Sequence, residues 1–328
     1  MSKVALSSPR LTGVRPKHMS PELVSLLARL IVVLILSLAI SLVNENFHSL
    51  SNLTNVLRQA SLLFLVASGA TLVIVAGAID LSIGANVTLS ACVAAGVMHS
   101  TGSAALGIAT ALAIGTAVGL INGALVAWLK LPSFLVTYGS LWILSGLALN
   151  YMGGVPITGF PKEFRYLGSG FLFGVPVPIL IMFGVVGVAS FLMHLTTFGQ
   201  QIFMMGANRE TAALSGVPVQ RNLLLVFALS GVCSGLAAIV ALGRVNSADP
   251  GMGDPFLLPA IAAILVGGAS LSGGTGTVLG TVLGALLLTI VLNAMNLLTI
   301  SSAWQPFATG AVLVAAMLAD TAMNRRRR

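Results

Sequence analysis

The residues able to do chemistry are few and scattered. The 328-residue chain holds eight acidic side chains, sixteen lysines and arginines, and four histidines. One carboxylate, Asp80, sits in VAGAIDLSIGANVTLS, residues 75 to 90, between long apolar runs. An ionisable group in such surroundings is costly, and is a functional candidate by default. Two chemistries fit it. Asp80 could hold a proton or cation at an interrupted helix. Alternatively, Gly77 ends one helix and Asp80 or Ser82 caps the next, satisfying backbone N–H groups that lipid would leave unpaired. Among the acids, Asp80 and Asp320 alone lie within or beside apolar runs. His18, His48, His99 and His194 lie far apart, with no metal-ligand spacing. Cys92 and Cys233 fall in apolar segments and read as small packing residues, neither a metal site nor a disulfide framework. There is no GxxxxGK[ST] phosphate loop. The nearest glycine-rich stretch, GGASLSGGTGT at 267 to 277, lacks a lysine. It contains Gly267, Gly268, Gly273 and Gly274 and reads as a helix break. No catalytic residue, metal site or cofactor site is assigned. The inventory suits a conduit better than a catalyst.

The surrounding composition says what must position these residues. Apolar residues make up 57% of the chain and charged residues only 7%, against about 25% in soluble domains. The mean hydropathy is +1.02. The expected fold is all-α, a polytopic integral membrane protein. The 36 glycines fit helices that approach closely or break. About ten spans are expected: Val24–Val43, Val56–Gly77, Gly84–Met98, Ala104–Leu129, Phe134–Met152, Val175–Leu195, Asn222–Leu242, Phe256–Ala269, Val278–Leu298 and Pro306–Asp320. The third and eighth are short, as where transporter helices are broken. Residues 1–22 read as a cytoplasmic N-terminal tail, 23–322 as the transmembrane domain and 323–328 as a basic cytoplasmic C-terminus. The first apolar run is too long for a cleavable signal and reads as an anchor. With both termini inside, twelve basic residues face the cytoplasm and four (Arg58, Lys162, Arg165 and Arg244) face out. The net charge of +8 thus orients the chain in a bilayer; no patch with interleaved aromatics points to nucleic acid.

The largest outer loop, roughly Gly153 to Gly174, is rich in proline, glycine and mixed charge. The largest inner loop, 196–222, has internal order. Asn208 can cap a short helix with Glu210 in its first turn and RETAAL as its body, and Gly216 can end it. Val217 and Pro218 then start a second short element. The apolar residues Ala212, Ala213 and Leu214 are too small and few to anchor in lipid, which favours docking on a soluble protein partner.

At this point the residues carry a family resemblance. VIVAGAIDLSIGANVTLSACVAAGVM resembles the signature region of the permease subunits of ribose/xylose/arabinose-type ABC importers, a GGIDLS-G pattern, with Ala78 in place of the second glycine. GANRETAALSGVPV resembles that family's cytoplasmic segment, with Gly206 displaced by one position. FLLPAIAAILVGGASLSGGTGTVLGTVLGALLL and NAMNLLTISSAWQPFATGAVLVAAMLAD resemble its later segments. The resemblance covers about residues 50 to 322. It implies a non-catalytic permease subunit in a bacterial inner membrane, importing a sugar or sugar-like solute. It implies three kinds of partner besides the bilayer: a second permease copy or paralogue, an ATPase subunit that binds ATP and magnesium, and a periplasmic sugar-binding protein. The coupling residues would be Gly206, Asn208, Glu210, Ala212, Ala213, Ser215 and Gly216. The helix-break and signature residues would be Gly77, Asp80, Ser82, Gly84, Gly267, Gly268, Gly273 and Gly274. Polar residues within spans are candidates to line the pathway: Asn122, Tyr138, Asn150, Asn293 and Asn296. For each, a helix-to-helix hydrogen bond is the competing role, worth only about 1 kcal/mol. An ion-coupled secondary transporter using Asp80 stays as the alternative, and a passive channel as a third.

Overall fold

A computed structural model describes residues 21–327, which form thirteen α-helices and four two-residue strands. Residues 1–20 and Arg328 lie outside the described residues, and with them most of the expected N-terminal tail. Helix α1 (Pro21–Val43) runs into a short 3-10 turn (Glu45–His48), where the Asn44 side chain accepts from the Asn46 N–H. Ser49 caps α2 (Leu50–Val75), which is buried without interruption from Ala60 to Val75. A helix apolar on every side belongs at the centre of a bundle, and α2 sits there, packed on α10, α12, α7 and α11. After the 76–82 interruption come α3 (Ile83–Thr101), α4 (Ala104–Ala127) and α5 (Ser133–Met152). Gly102 and Gly153 end α3 and α5 with positive φ.

The 153–176 segment folds at one end of the bundle. Strand β1 (Ile157–Thr158) leads to α6 (Lys162–Ser169), and the hairpin β2 (Phe171–Leu172) and β3 (Val175–Pro176) leads to α7 (Val177–Leu195). Phe164 of α6 is fully buried, and Gly168 rests on the Gly243–Arg244 backbone. At the opposite end lie α8 (Thr197–Ala207) and α9 (Arg209–Leu214). Helix α10 (Val219–Val245) returns to the α6 end, where β4 (Ser247–Ala248) pairs antiparallel with β1. The chain closes with α11 (Leu257–Val266), α12 (Val278–Leu297) and α13 (Gln305–Arg327). The backbone of α13 stays helical through the first residues of the expected basic C-terminus.

Eight of the described helices, 19 to 27 residues long, are long and apolar enough to cross a membrane. The eighth expected span has a different construction. After β4 the chain turns back along α3 rather than forming an exposed outer loop. Cys92 Sγ lies 3.6 Å from the Asp249 carbonyl, and Thr88 Oγ1 accepts the Gly253 N–H at 2.9 Å. Gly84 abuts the Gly253 carbonyl and Leu257. Positions 92, 88 and 84 descend α3 one turn at a time, about 6 Å per step. Residues 249–257 descend beside them, and the short α11 continues. The expected Phe256–Ala269 span is therefore only the second half of a discontinuous crossing whose first half is a series of turns ending in a 3-10 turn at Asp254–Phe256.

Helices α4 and α10 make the closest long contact. Gly115, Gly119 and Gly123, spaced four apart, face Phe227, Gly231 and Gly235. A Cβ at 119 would come 2.2 Å from the Phe227 carbonyl oxygen, and one at 231 would come 2.2 Å from the Gly115 carbonyl oxygen. Without water to exclude, such backbone approach supplies much of helix association in lipid. Gly119→Ala should lower the melting temperature of the purified chain and cost about 1–3 kcal/mol. Gly139→Ala, whose added methyl meets nothing within 4 Å, should leave it unchanged. Equal melting temperatures for the two variants would contradict this packing.

Candidate functional site

Asp80 is 6% exposed and lies at the start of a chain of hydrogen bonds. Its Oδ1 accepts the Ser82 N–H at 3.0 Å and the Ser82 hydroxyl at 2.6 Å. Its Oδ2 accepts the Ser230 hydroxyl of α10 at 2.9 Å. Ser82 Oγ in turn accepts from Asn122 Nδ2 of α4 at 2.9 Å, and Asn122 Oδ1 accepts the Ser140 hydroxyl of α5. Beside this chain, Ser133 Oγ accepts the Ile79 N–H and Thr137 Oγ1 donates to the Ile79 carbonyl. One carboxylate thus fastens the 76–82 interruption to α4, α5 and α10. The capping geometry differs from the sequence expectation. Ser82 occupies the N-cap position of α3 without a side-chain cap bond, and Asp80 takes the N–H of Ser82 itself. Asn86, one turn in, spends its amide on the Gly115 carbonyl.

The three glycine motifs meet at the α8–α9 end. Gly77, Gly273 and Gly274 all have positive φ, where a side chain is strained. The Gly274 N–H donates to the Val75 carbonyl at 2.9 Å. Gly206, near the end of α8, is pressed between these two segments. A Cβ there would lie 1.9 Å from the Val75 carbonyl oxygen and 2.3 Å from the Gly274 nitrogen. Gly273 closes the contact on Gly77 Cα. Arg209 Nη2 adds a bond to the Gly77 carbonyl at 3.2 Å. Gly267 and Gly268 sit to one side, Gly267 against Gly280 of α12 and Gly268 beneath the Arg29 guanidinium of α1.

Helix α9 hangs directly from this junction. Asn208 caps it by accepting the Thr211 N–H at 2.8 Å, Glu210 lies in its first turn, and Gly216 ends it at φ +82°. Ala212 is buried, whereas Glu210, Ala213, Ser215 and Gly216 are exposed. Leu214 is 91% exposed at its tip. The second short helix of this loop precedes α9 rather than following it: α8 buries Gly199, Ile202, Met205 and Gly206 on one face, and α10 begins at Val219, directly after Pro218.

The five polar pathway candidates are dispersed. Asn122 belongs to the Asp80 chain. Asn293 of α12 and Asn52 of α2 exchange two amide hydrogen bonds at 2.8 and 3.1 Å. Asn296 is exposed and accepts from Gln305 Nε2. Tyr138 lies on the exposed face of α5, stacked on Phe134 with centroids 6.0 Å apart, and Asn150 is exposed near that helix's end. Two acids escaped the sequence reading, Asp249 and Asp254, because DPGMGDP looks like an ordinary outer turn. Its two Asp-Pro pairs were the available signal, since the residue before proline disfavours a regular α-helix, and the segment forms turns and a 3-10 turn instead.

Residues 52–317 match the family described as branched-chain amino acid transport system, permease component. The chain is 39% identical over 301 residues to the ribose import permease protein of Haemophilus influenzae, covering 90% of this chain and 93% of that one. It is 36% identical over 317 residues to the galactose/methyl galactoside import permease protein of Escherichia coli, covering 90% and 94%. It is 32% identical over 296 residues to the D-allose transport system permease protein of the same organism, covering 90% and 91%.

The Asp80 arrangement makes a stability prediction. An amide at 80 can still accept from Ser82, and the Ser230 hydroxyl can turn to accept from it. Asp80→Asn should give monodisperse protein in normal yield. Asp80→Leu leaves buried donors without partners at about 1–3 kcal/mol each and should aggregate. Normal yield and melting of Asp80→Leu would show that the network does not hold the bundle.

Proposed function

The chain belongs to this permease-component family, as a multi-pass membrane permease of the bacterial inner membrane, and from that premise we propose that it is the translocating subunit of an ATP-driven importer of a monosaccharide. The relatives at 32 to 39% identity are permeases for ribose, galactose and allose, which supports a sugar as the solute. The observation that carries the mechanism is the glycine junction. Helix α9 is separated by only two residues from Gly206, and Gly206 is wedged against both interrupted segments.

In this reading α9 docks on a separate ATPase subunit, which holds ATP and magnesium. Exposed Leu214 would enter an apolar notch of that subunit, with Glu210 and Ser215 at the rim. Arg209 and Arg221 support a cytoplasmic position for this end through the positive-inside bias. Lys162 and Arg165 of α6 then belong to the opposite surface, where a sugar-binding protein would deliver its cargo. A second permease copy or paralogue would complete the pathway. When the ATPases close, α9 is displaced. The junction offers no slack, because backbone touches backbone, so the displacement passes to the 76–82 and 267–277 interruptions. Those interruptions separate α2 from α3 and α11 from α12, and their shift would alternate the side from which the pathway is open.

An ion-coupled mechanism through Asp80 fits less well. Family membership favours the ATP-driven system, and both carboxylate oxygens already face hydrogen-bond donors, which repel a cation. In proteoliposomes containing this chain with its ATPase and binding protein, sugar uptake should persist when ion gradients are dissipated and ATP remains. Uptake should vanish without the ATPase, and Asp80→Asn should retain it within about threefold. Gradient-driven uptake by this chain alone would refute the reading. Leu214→Asp should cut uptake by at least about tenfold, a loss of ~1.4 kcal/mol or more in coupling, with an unchanged melting temperature. Normal uptake in that variant would remove α9 from the coupling contact.

A further inference from the structure

A cavity of about 440 Å³ opens between α2, the end of α10, the 3-10 turn Asp254–Phe256 with the start of α11, and helices α12 and α13. None of the five sequence-derived pathway candidates lines it. Its polar groups include Gln59, Arg244, Asp254, Thr289, Gln305 and Thr309, and Phe256 contributes an aromatic wall. Among the described residues, the side chains of Gln59, Arg244 and Asp254 make no hydrogen bond or ion pair within the chain. Gln59 and Arg244 are half-buried and Asp254 is exposed. All three face the same space.

We propose that this cavity holds the monosaccharide during its passage, with Arg244, Asp254 and Gln59 as its hydroxyl partners. This assignment rests on the sugar-import reading above. The volume falls in the ordinary range for small-molecule sites, about 300–1,000 Å³, and accommodates one sugar ring with some water. The charges decide the ligand class. One guanidinium and one carboxylate sum to zero, which disfavours an ionic solute of either sign. A zwitterionic amino acid with an apolar side chain would occupy Arg244 and Asp254. It would leave Gln59 and Thr309 against hydrocarbon, whereas Thr289 and Gln305 already donate to Ala285 and Asn296. A polyol meets Gln59 and Thr309 as well as the two charges, because each hydroxyl both donates and accepts. Phe256 can cover the apolar face of a sugar ring.

The cavity is also tied to the moving parts. Asp254 follows Gly253, whose N–H is held by Thr88 and whose backbone lies on Gly84 of the signature motif. Gln59 stands on α2, which ends at the glycine junction. A shift of the 76–82 interruption relative to α2 therefore moves two of the three binding groups relative to each other, which would release the sugar without any dedicated gate.

The assembled transporter in proteoliposomes tests this, with D-ribose, D-galactose and D-allose as probes. Asp254→Asn and Gln59→Leu should each lower uptake by about tenfold or more, equivalent to the loss of one good polar contact. In a second measurement, Thr309→Cys in the assembled complex is reacted with a small maleimide. A transported sugar should slow the reaction at least about threefold, and leucine should not. Absence of protection by a sugar that the wild-type assembly transports overturns the cavity assignment alone, whatever the uptake of the Asp254→Asn variant. Protection by leucine instead overturns the ligand class. If the wild-type assembly imports none of the three sugars, the importer reading falls first and the cavity assignment falls with it.

Discussion

The fold depends on one backbone contact. At Gly206 three segments far apart in sequence come within van der Waals distance with no side chain between them. Val75 ends the central helix α2, Gly274 belongs to the turn before α12, and Gly206 completes the surface helix α8. The Gly274 N–H donates to the Val75 carbonyl across this gap. A methyl group at 206 would have to displace main chain on two sides. Main chain in a bundle this tightly packed moves only as whole elements, so displacement at the surface becomes displacement of spans. Rigidity at this point would let the proposed coupling helix, six residues long, control helices four times its length.

Around that point, polar groups are used sparingly and locally. The Asp80 carboxylate, Ser82, Ser230, Asn122 and Ser140 form a continuous hydrogen-bonded line through a region where water is scarce. Each added donor to a carboxylate offsets part of its desolvation, at about 1.5–3 kcal/mol apiece. The Asn52–Asn293 amide pair does the same between α2 and α12 near the other end. These networks fix rotation and depth, properties that apolar contacts leave loosely defined. The α4–α10 glycine seam sets how near two helices come but would tolerate sliding. Asp80 and its partners forbid it.

Much of this was legible in the sequence. Local chemistry read well: Asn208, Glu210 and Gly216 mark the start, first turn and end of α9 because capping depends on neighbours within four residues. The long spans read well because an unbroken apolar run has few alternatives in lipid. What escaped was tertiary. Nothing near residue 253 indicates that its N–H will bond Thr88, so the turns that begin the broken crossing looked like a free outer loop. Helix α8 was hidden because its buried face, Gly199, Ile202, Met205 and Gly206, includes two glycines and so carries a weak helical pattern. Asp80 drew attention for the right reason, but its partners Ser230 and Asn122 lie 150 and 42 positions away and no spacing rule connects them.

The smallest element has a long reach. Strands β1 and β4 pair over only two residues each, Ile157 with Ala248 and Thr158 with Ser247, and the Phe160 N–H adds a bond to Asn246 Oδ1. This stitch joins the loop after α5 to the turns that carry Asp249 and Asp254. Those turns are pinned in their own right: the Met252 N–H donates to the Asp249 carbonyl, and Thr88 of α3 holds the Gly253 N–H. A shift of the 153–161 loop is therefore passed through hydrogen-bonded turns to the side of α3, without bending any helix. The surface furthest from α9 thereby has its own mechanical line to the interior, and the two ends of the molecule can act on the same few residues from opposite directions.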